Sequence, residues 1–183
     1  MRSLVQILLI ATALLAPASR LRAADEPTRE QQVRAAFIFN FMQFVEWPAD
    51  AFRDEKSPLV VAIVGGDSFA AAVDKALGGK EIGGRSIAIK RYGLASQIEK
   101  GCHVAVLAAP DRELLRLVRE RVGATPVLLV GEGEYFCRDG GMIRLFNEEN
   151  RVRFEINPRA AERAKLKIAA KLLKLAKVYE SVE

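Results

Sequence analysis

The chain has 183 residues, with 28 Lys or Arg, 23 Asp or Glu and a single His, for a formal net charge of +5. Three of those bases, Arg2, Arg20 and Arg22, stand in the first 24 residues, which hold no acid; without them the balance is 25 against 23, or +2, too small to imply a nucleic-acid partner. One histidine and two cysteines, Cys102 and Cys137, in no CxxC or clustered arrangement, speak against a zinc site and imply no cofactor.

At the N-terminus, Arg2 precedes the apolar run Leu4 to Ala16, Pro17-Ala18-Ser19 break it, and Ala23-Ala24 stand before Asp25-Glu26. This is the layout of a signal peptide over residues 1–24, with cleavage near Ala23 or Ala24 and an exported product. The run is shorter than the roughly 20 residues that span a bilayer. Leu21 and Arg22 make the site imperfect, so an uncleaved anchor is the alternative. Residues 25–183, about 159 of them, suffice for a single domain with its own core. In an oxidising compartment Cys102 and Cys137 have two readings: a bridge closing a loop of about 36 residues, stabilising by roughly 3–4 kcal/mol, or two free thiols.

Glu30 to Trp47 reads as the first helix. Val33, Phe37, Phe41, Phe44 and Val45 recur at helical spacing as its core stripe, Ile38 widens it, and Pro48 ends it. Phe39 and Met42 lie off that stripe. Leu59 to Val64 is a continuous apolar run between Pro58 and Gly65-Gly66, the pattern of a buried parallel strand. Asp67-Ser68 then caps a helix through Phe69, Val73 and Leu77 that stops at Gly78-Gly79. After a turn at Gly83-Gly84 come a strand from Ile87 to Arg91, a short helix-prone stretch, and a buried strand from His103 to Ala108. Pro110-Asp111 opens a helix with Leu114, Leu115, Val118 and Val122 on one side, and Val127 to Val130 is the next strand.

Alternating strands and helices predict an α/β fold, a Rossmann-like, doubly wound, mostly parallel sheet. Beyond Gly140-Gly141 the pattern changes. Met142 to Phe146, a turn over 147–150 and Arg151 to Ile156 form a hairpin that contributes one antiparallel strand, with Val152, Phe154 and Ile156 on one face. Asn157-Pro158 opens the first of two helical pieces, 158–164 and 169–180. The second presents Lys167, Lys171, Lys174 and Lys177 opposite Ile168, Leu172, Leu175 and Tyr179. That reads as a docked helix with a solvated basic face; attraction to anionic headgroups or an acidic partner is the alternative, with peripheral membrane contact at most.

Catalytic patterns are sparse. Gly65-Gly66-Asp67-Ser68 matches neither dinucleotide nor P-loop spacing. Gly131-Glu132-Gly133-Glu134 sets two carboxylates on a strand-end loop, read as solvated. Cys102 and His103 are neighbours on a strand and point to opposite faces, so they form no dyad. No catalytic residue is assigned, and the chain reads as a binding protein and not an enzyme. The two loops at the strand ends keep a small-solute-binding module open as the alternative function.

Several stretches together resemble the YfiR family. Ala35-Ala36-Phe37-Ile38-Phe39-Asn40-Phe41 with Phe44-Val45-Glu46-Trp47-Pro48 is similar to its opening helix, and Gly101-Cys102-His103-Val104 to a strand of its sheet. Gly140-Gly141-Met142-Ile143 with Val152-Arg153-Phe154-Glu155-Ile156-Asn157 is similar to its closing hairpin, and Leu172-Leu173-Lys174-Leu175-Ala176 to its last helix. The resemblance implies a periplasmic regulator, with a Rossmann-like sheet, that represses an inner-membrane diguanylate cyclase or accompanies a sensor kinase by binding its periplasmic region. It thereby implies a role in cyclic di-GMP signalling and biofilm growth, with homodimers among its members. The family pattern pairs each of Cys102 and Cys137 with a further cysteine. The aligned positions here hold Ala62 and Arg144, so both family bridges are absent and redox behaviour of these cysteines is put in doubt. The surplus apolar residues of the first helix, Phe39 and Met42 with Trp47, are the expected dimer or partner surface.

Overall fold

A computed structural model describes residues 26–108 and 111–180; the expected signal peptide, and Pro110 as a helix start, lie outside the described residues. Helix α1 runs Arg29–Gln43. Thr28 opens it with a capping box: its side chain accepts from the Gln31 amide, and the Gln31 side chain accepts from the Thr28 amide. The helix ends four residues earlier than its apolar spacing predicts, because Val45–Glu46 leave it as strand β1. They pair antiparallel with Lys167–Ile168 (β9), and the Ala169 amide donates to the Phe44 carbonyl at 2.8 Å.

The main sheet is built from β2 (Leu59–Val64), β3 (Glu81–Ile82), β4 (Arg85–Tyr92), β5 (Val104–Leu107), β6 (Leu128–Gly131), β7 (Ile143–Glu148), β8 (Arg151–Ile156) and β10 (Lys177–Val178), in the order β10-β8-β7-β6-β5-β2-β4-β3. Five of them, β4-β2-β5-β6-β7, are parallel. In β2 all residues but Val60 are buried, since β4 and β5 pair with it on either side and helices cover it. The expectation of one antiparallel strand is corrected to three. Besides β8, strand β3 runs against β4, and β10 runs parallel to β8 and so against the five parallel strands.

Helices α2 (Asp67–Leu77) and α3 (Arg112–Val122) connect β2 to β4 and β5 to β6. The expected Asp67-Ser68 cap is replaced: Gly66 is the N-cap, at φ +63°, and the Ser68 hydroxyl accepts instead from the Gln31 side chain at 2.9 Å, tying α2 to α1. Asp111 does cap α3, accepting from the Glu113 amide. The β7–β8 hairpin turns on Glu149 and Asn150, both at positive φ, the backbone that a tight two-residue turn requires. Asn157 caps α4 (Pro158–Arg163) and donates to the Cys137 carbonyl at 2.8 Å.

The expected last helix is corrected. Only Ala170–Leu173 forms a helical turn (α5); the chain then joins the sheet as β10, where the Tyr179 amide donates to the Ile156 carbonyl at 2.7 Å. The lysines 167, 171, 174 and 177 therefore share no helical face. Pairing the open edge of β8 satisfies backbone groups that a helix docked there would leave bare.

The stripe α1 buries is also rotated from the expected one. Arg34, Ala35, Ile38, Phe41 and Met42 are inside, while Val33 is 40% exposed. Phe37 and Phe41 meet Phe154 of β8 at centroid distances of 5.6 and 5.0 Å. Helix α1 thus spans from α2 to the hairpin. Glu155, on the face of β8 opposite Phe154, is buried with Arg144 Nε at 2.9 Å from its Oε2, so the hairpin is covered on both sides.

Candidate functional site

The three residues expected to form a partner surface part company. Met42 is fully buried in the core cluster, so its surface role is corrected: once the stripe is rotated, position 42 points at the sheet. Phe39 is half-buried, its ring covered by the Lys80 ammonium at 4.2 Å. Trp47 is half-buried and its indole Nε1–H donates to the His103 carbonyl at 3.1 Å, so its orientation is set by the strand beneath it.

His103 closes the amino-terminal end of the sheet. Its Nδ1 accepts from the Val60 amide at 3.0 Å and its Nε2 lies 3.0 Å from the Ala51 carbonyl, which together fix a neutral tautomer with the proton on Nε2. Phe52 stacks on the ring at 4.4 Å, and Arg85 lies over the far side of Phe52 at 3.9 Å. Burial, and to a smaller degree the Arg85 charge, pushes the imidazole pKa below its usual value. With both nitrogens bound to backbone, this ring is a structural clamp.

Cys102 and Cys137 are free and buried. Burial pushes the Cys102 thiol up to about 11. Burial, then the Glu155 carboxylate, pushes Cys137 up to about 12, and its Sγ lies 3.8 Å from the Glu155 carbonyl. The thiolate is the reactive form, so neither sulfur is poised for exchange.

The opposite end of the sheet carries the feature that spacing along the chain does not show. The strands of the parallel part lie in the order second-first-third-fourth-fifth, so the chain changes direction between β2 and β5, and a crevice forms beyond their carboxyl ends. Of the two glycine loops read as strand-end loops, 65–66 packs against Ala108 after β5, and 131–134 brings Glu132 to the crevice. Gly66 lies so close to Ala108 that a Cβ would sit 2.8 Å from the Ala108 Cβ, which only glycine permits at its positive φ. Arg34 enters from α1. Its guanidinium is bonded to Glu30 at 2.7 Å and Asn147 at 3.2 Å, and is ion-paired to Glu132 at 2.5 Å. Hydrogen bonds from Asn147 and then Arg34 hold the Glu30 carboxyl below the usual range. A cavity of about 280 Å³ opens beside this cluster, lined also by Thr28, Gln31, Phe69 and Ala108. Sequence reasoning misses Arg34 because an isolated arginine on a helix ordinarily faces water. The available signal is Glu30 four residues before it and the series 34, 38, 41, 42 at helical spacing.

Among the described residues no helix is long and apolar enough to cross a membrane, and no group of three or more His, Cys, Asp or Glu converges on a metal position. The family model described as YfiR/HmsC-like (DUF4154) matches residues 31–177. No curated protein matches the chain. Among solved structures, YbdL from Escherichia coli, identified with a methionine aminotransferase function, overlaps with a TM-score of 0.30 at 10% identity, over 58% of this chain and 28% of that one. So loose a likeness carries no argument. The family model, by contrast, covers most of the chain, from the first turns of α1 to β10, and the chain belongs to the YfiR/HmsC-like family.

Proposed function

We propose that the chain is an exported, non-enzymatic regulatory protein that binds the periplasmic region of a membrane signalling protein, a diguanylate cyclase or a sensor kinase. Through that partner it sets cyclic di-GMP output and biofilm growth. The observation that carries this reading is the family match over residues 31–177. It is supported by how the reactive side chains are used: His103 is bound to backbone through both ring nitrogens, and both thiols are buried with raised pKa values. The strand order second-first-third-fourth-fifth supports a Rossmann-like, doubly wound fold for the domain over 25–183. The partner or dimer surface is the half-buried aromatic edge of α1 and the segment after it, Phe39 and Trp47. The signal peptide is removed near Ala23 or Ala24, and N-terminal sequencing of the purified protein starting at Met1 would refute that step.

The decisive test uses the full chain expressed with its native membranes. Affinity capture should bring down an integral membrane protein with a periplasmic sensor region and a cytoplasmic cyclase or kinase domain. Deleting the chain should change cellular cyclic di-GMP. Capture with no such protein, together with unchanged cyclic di-GMP, rejects the reading. The crevice at the strand ends, where Glu132 of the 131–134 loop meets Arg34 beside Phe69 and Ala108, favours a second reading as a small-solute-binding module.

A further inference from the structure

Arg34 is more than nine-tenths buried, yet the acids around it are not. The side chains of Glu30 and Glu132 keep 50% and 30% exposure. The guanidinium is committed on one side only. Nε and Nη2 donate to Glu30, and Nη2 also to Asn147. Nη1 is buried and ion-paired to the Glu132 carboxylate at 2.5 Å, without hydrogen-bond geometry. Glu132 sits between Gly131 and Gly133 on the loop leaving β6. A wet carboxylate on a glycine-flanked loop can move into water at little cost. With Glu132 gone, Glu30 still neutralises the guanidinium, but Nη1 is left without a partner and is open to another anion.

We propose that Arg34 anchors a binding site for a small molecule carrying one carboxylate, and that Glu132 holds the carboxylate position while the site is free of ligand. The cavity of about 280 Å³ beside Arg34 is at the small end of ligand pockets, which run from about 300 Å³ upward. Its lining is mostly polar, with Thr28 and Gln31 beside the charged groups, and Phe69 and Ala108 are its apolar residues. Phe69 also belongs to the first turn of α2, whose N-cap Gly66 provides no side-chain acceptor for its amides. The charge balance explains why the ligand must displace Glu132 and not join it. Arg34 with Glu30 and Glu132 sums to −1, which repels an added anion; with Glu132 swung out the remainder is neutral. Trading one carboxylate for another on the same guanidinium is close to an even exchange. The tethered Glu132 therefore acts as a competitor at an effective concentration in the millimolar range. Ligand entry frees the 131–134 loop, next to the α1 helix that Arg34 holds in place.

This inference deepens the solute-binding reading and is separable from the partner reading, because it is tested on the isolated chain. Sodium butyrate is titrated into the purified mature protein at constant ionic strength, followed by ¹H–¹⁵N NMR at the Arg34 side chain and the Phe69 and Ala108 amides. n-Butylamine and sodium phosphate serve as controls. The expected result is saturation by butyrate in the millimolar range at those three reporters and by neither control. Glu132→Gln should tighten butyrate about tenfold or more, by removing both the competitor and its charge. Arg34→Lys should abolish saturation. Should Arg34→Lys not fold, the Glu132→Gln arm decides alone. Unchanged butyrate affinity in Glu132→Gln overturns the proposal, as does saturation by all three compounds alike. A Glu132→Gln protein that melts lower without binding more tightly shows the ion pair to be structural only, and overturns it too.

Discussion

The two ends of the parallel sheet are finished in opposite ways. Where β2 and β5 begin, the closure is neutral and aromatic: His103 clamps Val60 and Ala51 through its ring, its carbonyl accepts from Trp47 and from the Leu128 amide, and Phe52 and Arg85 stack over it. Where β2, β5 and β6 end, the closure is ionic, with Arg34 drawing Glu30, Glu132 and Asn147 together across more than 100 residues of chain. A neutral hydrogen-bonded seal has one low-energy arrangement, because every nitrogen has its partner. An ionic seal made of one buried cation and two wet carboxylates can exchange its anions. On the solute-binding proposal the first end serves stability and the second ligand response, in keeping with the tendency of open α/β sheets to bind at the carboxyl ends of their strands.

Between the two ends runs α1, and both seals depend on which stripe of that helix faces the sheet. The sharpest check is to truncate one residue from each candidate stripe. Met42→Ala should cost about 2–5 kcal/mol, the range for emptying a well-packed core site. Val33→Ala should stay within about 0.5 kcal/mol, as surface changes do. Urea melts of the two variants measure this directly. Equal losses would mean that α1 is buried all round and that neither end is closed as described.

The rotation of that stripe shows what was legible in the sequence and what was not. The central strands were plain: Leu59 to Val64 and Val104 to Leu107 are unbroken apolar runs because strands covered on both faces need no polar side. The short closing elements were not. Val45 pairs with Ile168, and Lys177 with Glu155, so two-residue strands owe their existence to partners that local spacing cannot see. Ile168, Leu172 and Leu175 lie at helical intervals in a segment that makes a single turn. The strand-end loops could be placed from Gly65-Gly66 and Gly131 to Glu134, but not the arginine that pairs with Glu132. His103 could be assigned to a strand start, whereas its clamp needed Ala51 and Val60 to be brought to it.

A second prediction probes the neutral end. His103→Leu keeps an apolar body but leaves the Val60 amide and Ala51 carbonyl without their partner, a loss of about 1–3 kcal/mol for a stranded group. The same residue gives that end a pH dependence. Burial lowers the folded pKa below the unfolded value of about 6.5, so the unfolded chain binds the proton more readily. The contribution is complete above that unfolded value and is lost as pH falls below it. Melting temperature should therefore drop between about pH 7 and 5 more steeply in the wild type than in His103→Leu. Parallel pH profiles would remove the clamp from the account.

A small effect on folding is expected at Phe39, and it bears on neither seal. Its ring lies half-buried beneath Lys80, an arrangement worth about 0.5–1 kcal/mol at an exposed site. Phe39→Glu trades that contact for an attraction between the Lys80 ammonium and the introduced carboxylate, so the monomer should melt within about 1 kcal/mol of the wild type. Association should respond far more, because an aromatic anchor in an interface carries energy out of proportion to its area and a buried unpaired carboxylate opposes docking. Light scattering for self-association and capture of the membrane partner measure that response, while a thermal melt of the same sample reports the fold. A variant that associates as well as the wild type removes Phe39 from the surface and leaves Trp47 to carry it. A variant that melts as badly as Met42→Ala means instead that Phe39 belongs to the core, and that α1 presents no free aromatic edge to a partner.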